Sequence, residues 1–171
     1  PQDTKEGNWI FNTSYIEARG DGSSKIDHYL SFVGALGLRI PTKVDTGLSH
    51  ITLGSIGGEW GQTLQRPYLG LILGSSRYSK DWPVEGYRGL LERFSVPGIE
   101  SVVLLGDRSK VEMARQLEGV ASPARIVNAV GKTTLRELVG IVHGARACVG
   151  PDSGPGHIAG ALGVPHVTLF G

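Results

Sequence analysis

The sequence predicts an α/β fold: a parallel sheet with helices on both faces, preceded by an irregular N-terminal segment. Two observations predict it. From Tyr68 onward, short apolar runs alternate at a regular beat with stretches of helical period, the pattern of strands buried on both faces by crossover helices. Several of these runs also end in small residues just before a helical stretch, at Gly74-Ser75-Ser76, Gly106-Asp107 and Gly150–Gly154.

Residues 1–67 read as a linking segment between domains. Trp9-Ile10-Phe11 and Tyr15-Ile16 are candidates for short strands. Tyr29, Leu30, Phe32, Val33 and Leu36 space a helix near 27–38. Residues 46–67 mix Gly, Ser, Thr and isolated apolar residues, and no period selects an element there. Residues 68–171 form the predicted sheet domain. Leu69–Leu73 is its first strand, and Pro83 fits the first turn of a helix running to about Phe94. Ser101–Leu105 is a strand, Ser109–Glu118 an amphipathic helix and Arg125–Val127 a short strand. Thr133–His143 is a helix with Leu135, Leu138, Val139 and Val142 on one face. Ala147–Val149 is a strand, Gly154–Leu162 a helix rich in Gly and Ala, and Pro165–Phe170 the last strand. Pro1 is no natural start and Gly171 directly follows an apolar run, so the chain is expected to be cut from something longer at both ends.

Composition bounds the function. With 40% hydrophobic and 19% charged residues, a chain of this length buries a core without disulfides or metals. A net charge of +1 with scattered basic residues argues against a nucleic-acid partner. The single cysteine, Cys148, sits in an apolar run and reads as a core thiol, which excludes disulfide frameworks and cysteine metal sites. No His/Cys/Asp/Glu cluster has metal-ligand spacing, so neither metal nor cofactor is expected. No apolar stretch reaches transmembrane length, and residues 1–6 do not read as a signal-peptide core. A dehydrogenase-type Gly-x-Gly-x-x-Gly after a strand and a Gly-x-Ser-x-Gly elbow are both missing.

Parallel sheets bind ligands beyond the carboxyl ends of their strands, near a topological switch point. That rule selects four segments. In Gly150–Ala159 a strand ends and a helix begins with very small residues. Asp152 suits the N-cap, which Ser153 could share. Gly154 and Gly156 let a ligand approach the backbone, where free N–H groups and the helix dipole favour an anion. His157, in the first turn or so, adds a donor. The plainer reading is a capped helix packed closely on the sheet. In Leu73–Pro83, Ser75 and Ser76 offer hydroxyls and backbone donors, and Lys80 offers a mobile charge suited to phosphate. The alternative takes Lys80 and Asp81 as solvated loop charges and Trp82 as a plug at the helix base. Gly131-Lys132-Thr133-Thr134 resembles part of a P-loop, but Ile126 stands where that motif needs Gly. It reads as a turn with a threonine cap, or as a loop lining a pocket. Gly106-Asp107 and the nearby Glu112 place carboxylates just past a strand, where they can accept from ribose hydroxyls or simply stay solvated. Residues 45–51 echo residues 152–158 as Asp-[Ser/Thr]-Gly-x-x-His-Ile, and only the later copy sits between a clear strand and a clear helix.

Taken in order, these segments resemble the C-terminal half of ADP-heptose:lipopolysaccharide heptosyltransferases, glycosyltransferase family nine. The resemblance rests on Lys80-Asp81-Trp82-Pro83, Leu105-Gly106, Gly131-Lys132-Thr133-Thr134-Leu135, Asp152-Ser153-Gly154-Pro155-Gly156-His157, Gly163-Val164-Pro165 and Phe170-Gly171. It covers roughly 68–171, with 24–38 similar to the helix joining the two halves. It implies a GT-B-type enzyme of two Rossmann-like halves, this one holding the nucleotide sugar. Ser75, Ser76 and Lys80 would contact the diphosphate, and Lys80 would stabilise the leaving group. Asp152, Ser153, Gly154 and His157 would contact the diphosphate and adjoining sugar. Leu105, Gly106, Gly131 and Leu135 would form the base pocket. Relatives often carry a ribose-binding Glu near the position of Lys110, a role Glu112 would have to assume here, and larger apolar residues at Pro155 and Gly156.

The implied reaction is inverting transfer of heptose from ADP-heptose to the lipopolysaccharide inner core, without a metal. The catalytic base would lie in the missing N-terminal half, leaving residues 1–171 able to bind donor but not to turn over. The acceptor would be a lipid-linked saccharide and the location cytoplasmic, peripheral at the inner face of the membrane. Two other readings stay open: another GT-B-type nucleotide-sugar enzyme (a UDP-sugar transferase or epimerase), or a non-catalytic nucleotide-binding domain.

Overall fold

A computed structural model describes residues 25–42, 45–52, 54, 58–64, 66–75 and 81–170. The strand candidates at 9–11 and 15–16, and the site candidates Ser76 and Lys80, lie outside the described residues. The chain divides into two compact units, Pro1–Asp45 and Thr46–Gly171.

The first unit contains helix α1, Lys25–Ala35. It stops short of the expected Leu38 because Gly37 takes a left-handed φ of 72°. The Gly37 amide donates to Gly34 O at 2.9 Å and the Leu38 amide to Val33 O at 3.1 Å, the double bond of a Schellman stop.

The second unit holds the sheet. Its elements are α2 (Gly58–Thr63), β1 (Tyr68–Ile72), α3 (Val84–Glu92), β2 (Ser101–Leu105), a 3-10 turn (Arg108–Lys110), α4 (Val111–Glu118), β3 (Arg125–Asn128), α5 (Leu135–Gly144), β4 (Ala147–Pro151), α6 (Gly154–Ala161) and β5 (His166–Leu169). All five strands are parallel, in the order β3-β2-β1-β4-β5. The α/β fold with helices between parallel strands is thus the architecture the sequence predicts.

The period-2 geometry of strands divides the core in two. Tyr68 and Ile72 of β1, with Val103 and Leu105 of β2, join Trp60, Leu64, Ile141, Val142 and Ala159 on one face. Leu69 and Leu71, with Val102 and Leu104, join Tyr87, Leu91, Ala114 and Leu117 on the other. Helices α3 and α4 therefore cover one face, and α2, α5 and α6 the other. Trp60 and Leu64 bring residues that carry no sequence period into the core. Cys148 is fully buried, and burial pushes its thiol pKa up to about 12; it is the inert core thiol expected.

Some helix starts and caps differ from the sequence reading. Pro83 is the N-cap of α3, not a residue of its first turn, because its ψ of 149° is extended. Helix α5 starts at Leu135, since Thr134 caps it: the Thr134 hydroxyl accepts from the Glu137 amide, and the Glu137 carboxylate accepts from the Thr134 amide, a capping box. Helix α6 is capped by Ser153 rather than Asp152, and the Ser153 side chain makes no capping hydrogen bond. In segment 45–51, which echoes the α6 motif, Gly47 forms a bend and Ser49-His50 a turn, with no strand leading into them as β4 leads into α6.

Candidate functional site

The strand order makes a switch point. Strand β1 pairs with β2 on one side and β4 on the other, so the segments leaving β1 and β4 diverge above adjacent strand ends. Such a divergence opens a crevice at the carboxyl edge of the sheet. A cleft of about 330 Å³ lies there, lined by Ile72 to Ser75 after β1, Gly106 and Asp107 after β2, and Ser153 to Pro155 after β4. Thr133, Thr134, Leu135 and Leu138, at the start of α5, close the remaining side. Its size falls within the usual range for small-molecule sites.

Close packing beneath the cleft depends on Gly150. A Cβ there would meet Ile72 Cβ at 2.5 Å and Ile72 O at 2.7 Å, so only glycine lets the ends of β1 and β4 approach this closely. Gly154 and Gly156, similar in sequence, do different things. A Cβ on Gly154 would meet nothing within 4 Å, so the α6 backbone is open to the cleft there. A Cβ on Gly156 would collide with the His166 ring, so that glycine serves packing.

The N-terminus of α6 has the features of an anion site. Backbone donors in a helix's first turn lack intrahelical partners. Pro155 has no N–H, which leaves Gly154 and Gly156 as those donors. The Ser153 hydroxyl is buried and finds no hydrogen-bond partner among the described residues. A buried hydroxyl without a partner is unfavourable, and a ligand oxygen in the cleft would satisfy it. Beside the cleft, Asp152 Oδ1 lies 3.4 Å from Nε2 of His157, whose side chain is largely exposed.

The segment after β1 is braced by charge. Asp81 Oδ1 accepts from the Ser75 amide at 2.5 Å, and Asp81 Oδ2 accepts from Lys110 Nζ at 2.5 Å. Their side chains are only 6% and 13% exposed, so Asp81 is no solvated loop charge. Burial opposes ionisation of Asp81, but the bonds from Lys110 and Ser75 prevail and hold its carboxyl below the usual range. Tyr87 of α3 adds a second brace: its hydroxyl accepts from the Gly74 amide at 3.3 Å and donates to Ile72 O at 3.1 Å. Trp82 packs edge-on against Tyr87 with ring centroids 4.9 Å apart. Asp107 accepts from the Ser109 amide at 2.7 Å, and bonds from Ser109 lower its pKa.

Of the residues singled out in the sequence, Ser75, Gly106, Leu135, Ser153 and Gly154 meet around the cleft. Asp152 and His157 stand beside it. Leu105 is fully buried in the core. Glu112 faces solvent and pairs with Arg115 at 3.5 Å. Gly131, with a φ of 69°, lines a separate depression with Arg108, Arg115 and Lys132. Asp107, rather than Glu112, is the carboxylate that lines the cleft. The Asp81–Lys110 pair was missed as a unit: its members are 29 residues apart, and no local pattern joins them.

Comparison with known proteins agrees with this architecture. Residues 49–171 match the model of glycosyltransferase family 9 (heptosyltransferase). Lipopolysaccharide heptosyltransferase 1 of Pseudomonas aeruginosa is 34% identical over 105 residues, which are 61% of this chain and 29% of that protein. Lipopolysaccharide core heptosyltransferase OpsX of Haemophilus influenzae is 32% identical over 101 residues, 56% of this chain and 28% of that protein. Among solved structures, the family 9 glycosyl transferase of Veillonella parvula superposes with a TM-score of 0.68 at 23% identity, covering 96% of this chain and 48% of that one. Heptosyltransferase WaaC of E. coli, solved with ADP-2-deoxy-2-fluoro heptose, gives 0.68 at 22% identity, covering 95% of this chain and 49% of that one. The chain thus spans about half the length of these solved structures and about three-tenths of the curated relatives. On the match over residues 49–171, the chain belongs to glycosyltransferase family 9, the heptosyltransferases.

Proposed function

We propose that this chain is the donor-binding, C-terminal half of a heptosyltransferase and that its cleft holds ADP-heptose. The observation that carries this is the α6 N-terminus, where the unpartnered Ser153 hydroxyl and the open backbone at Gly154 line the switch-point cleft. The relatives' names support the same reading: they are lipopolysaccharide heptosyltransferases, and one was solved with an ADP-heptose analogue.

In this reading Ser153, Gly154, Ser75, Ser76 and Lys80 hold the diphosphate, with Asp152 and His157 reaching the phosphate and sugar. Gly106 and Leu135 flank the base, and ionised Asp107 accepts from ribose hydroxyls. The acceptor hydroxyl attacks the anomeric carbon, the bond to the diphosphate oxygen breaks with inversion, and ADP leaves. Lys80 and the α6 N-terminus stabilise the charge that develops on ADP, the kind of preorganised electrostatic effect that dominates many transferases. No metal is needed for that role. The base that takes the acceptor proton belongs to the N-terminal half, and the acceptor is a lipid-linked saccharide met at the inner face of the cytoplasmic membrane.

Two measurements test this. Lys80→Ala and His157→Ala should each weaken ADP binding by about 1–3 kcal/mol if they donate to phosphate as charged groups; unchanged affinity in both favours a non-catalytic domain. Residues 1–171 should bind donor but release no ADP when mixed with donor and acceptor. Measurable heptose transfer would remove the base from the N-terminal half.

A further inference from the structure

We infer that Asp81 and Lys110 are positioning residues for the donor site, their ion pair tying Ser75 in the cleft wall to the turn after β2. The inference rests on the proposed donor site.

Three observations carry it. One carboxylate makes both bonds: Asp81 Oδ1 takes the Ser75 amide and Oδ2 takes Lys110 Nζ, each at 2.5 Å. The Ser75 bond joins two residues six apart in the chain, and the Lys110 bond ties Asp81 to the segment after the neighbouring strand. Gly74 makes room for the pair. A Cβ there would strike the Lys110 side chain, so the lysine stem passes where any other residue would obstruct it. The clasp also borders the cleft without forming its wall: Gly74, Ser75, Gly106 and Asp107 line the cleft, and Asp81 and Lys110 do not.

The consequences are chemical. The Ser75 amide is committed to Asp81, so the pair fixes where the Ser75 backbone stands in the cleft wall. Lys110 is neutralised by Asp81, so the two cancel rather than leaving a second cation beside the phosphates. Buried pairs of this kind are weak as sources of net stability, but losing one partner leaves an uncompensated charge. The pair is therefore expected to matter more for the placement of Ser75 at the cleft than for the fold.

The test compares Asp81→Asn, Lys110→Met and the double variant, in which both charges are gone and the fold is least burdened. Calorimetric ADP titration should show affinity reduced about tenfold in each single variant, and no further in the double. Exchange of the Ser75 amide, followed by NMR, should accelerate by about tenfold or more while amides of the β-strands keep their protection. Should Lys110→Met fail to fold, Asp81→Asn and the double carry the comparison. The inference is overturned if folded variants bind ADP like the parent, whether Ser75 exchange quickens or not; quicker exchange with unchanged affinity makes the pair purely structural. If the parent itself binds no ADP, the donor-site reading has failed, and Ser75 exchange alone decides the clasp: unaltered protection in the variants overturns it.

Discussion

At the scale of single residues, the site is set by what glycine omits and what serine lacks. The Ser153 hydroxyl is buried without a partner among the described residues. Ser153→Ala should therefore leave thermal stability unchanged or raise it slightly, while weakening ADP binding by about 0.5–1.5 kcal/mol, the net worth of one hydrogen bond. A melt and a titration on the same sample check both halves; loss of stability with unchanged affinity would contradict the assignment. Gly150→Ala is the opposite case. Its Cβ would press on Ile72 backbone and side chain, and overpacking of this kind costs about 1–3 kcal/mol, readable as a lower urea midpoint. Both residues were legible in the sequence as small residues after a strand. Their division of labour was not, because Gly150, Gly154 and Gly156 differ only in what lies opposite each, a tertiary fact. The same limit hid Asp81: next to Lys80 it reads as a loop charge, and only Lys110, folded across from another strand, makes it a buried ion-pair partner.

At the scale of elements, the strands were read closely and the helix starts less so. Continuous apolar runs mark β1, β2 and β4 because strands buried on both faces need them. Helix starts depend on side-chain bonds that several nearby residues can make. Thr134, not Thr133, caps α5 because Glu137 stands three residues after it. Thr134→Ala should destabilise the second unit by about 1 kcal/mol and, since α5 begins at the cleft edge, should also lower ADP affinity. Helix α2 was illegible: Gly58–Thr63 is a six-residue element too short to show a period, held by Trp60 in the core. Acid sensitivity belongs at this scale too, because Ser75, just after β1, is held by an ionised carboxylate. Asp81 and Asp107 have depressed pKa values in the folded chain. Their contribution is present above the unfolded carboxylate pKa near 4 and is lost as pH falls through the lower folded values. Urea midpoints should fall below about pH 4, and less steeply in Asp81→Asn. An equal slope in parent and variant would show that Asp81 does not couple folding to protons.

At the scale of the whole molecule, the strand order explains why a site exists and where. Five parallel strands with β1 flanked by β2 and β4 leave one crevice at the switch point, and the family match spans the same unit. The sequence predicted this unit from Tyr68, but Trp60 and Leu64 pack into its core, and the compact unit begins at Thr46. The reading of the chain as a donor half stands or falls on nucleotide binding. The most direct measurement is calorimetric titration of residues 1–171 with ADP, UDP and GDP in the presence of a chelator. The account predicts that ADP binds, that it binds more tightly than UDP or GDP, and that Ser153→Ala weakens it. No binding by any of the three, a preference for UDP or GDP, or ADP binding that disappears without divalent metal would contradict it.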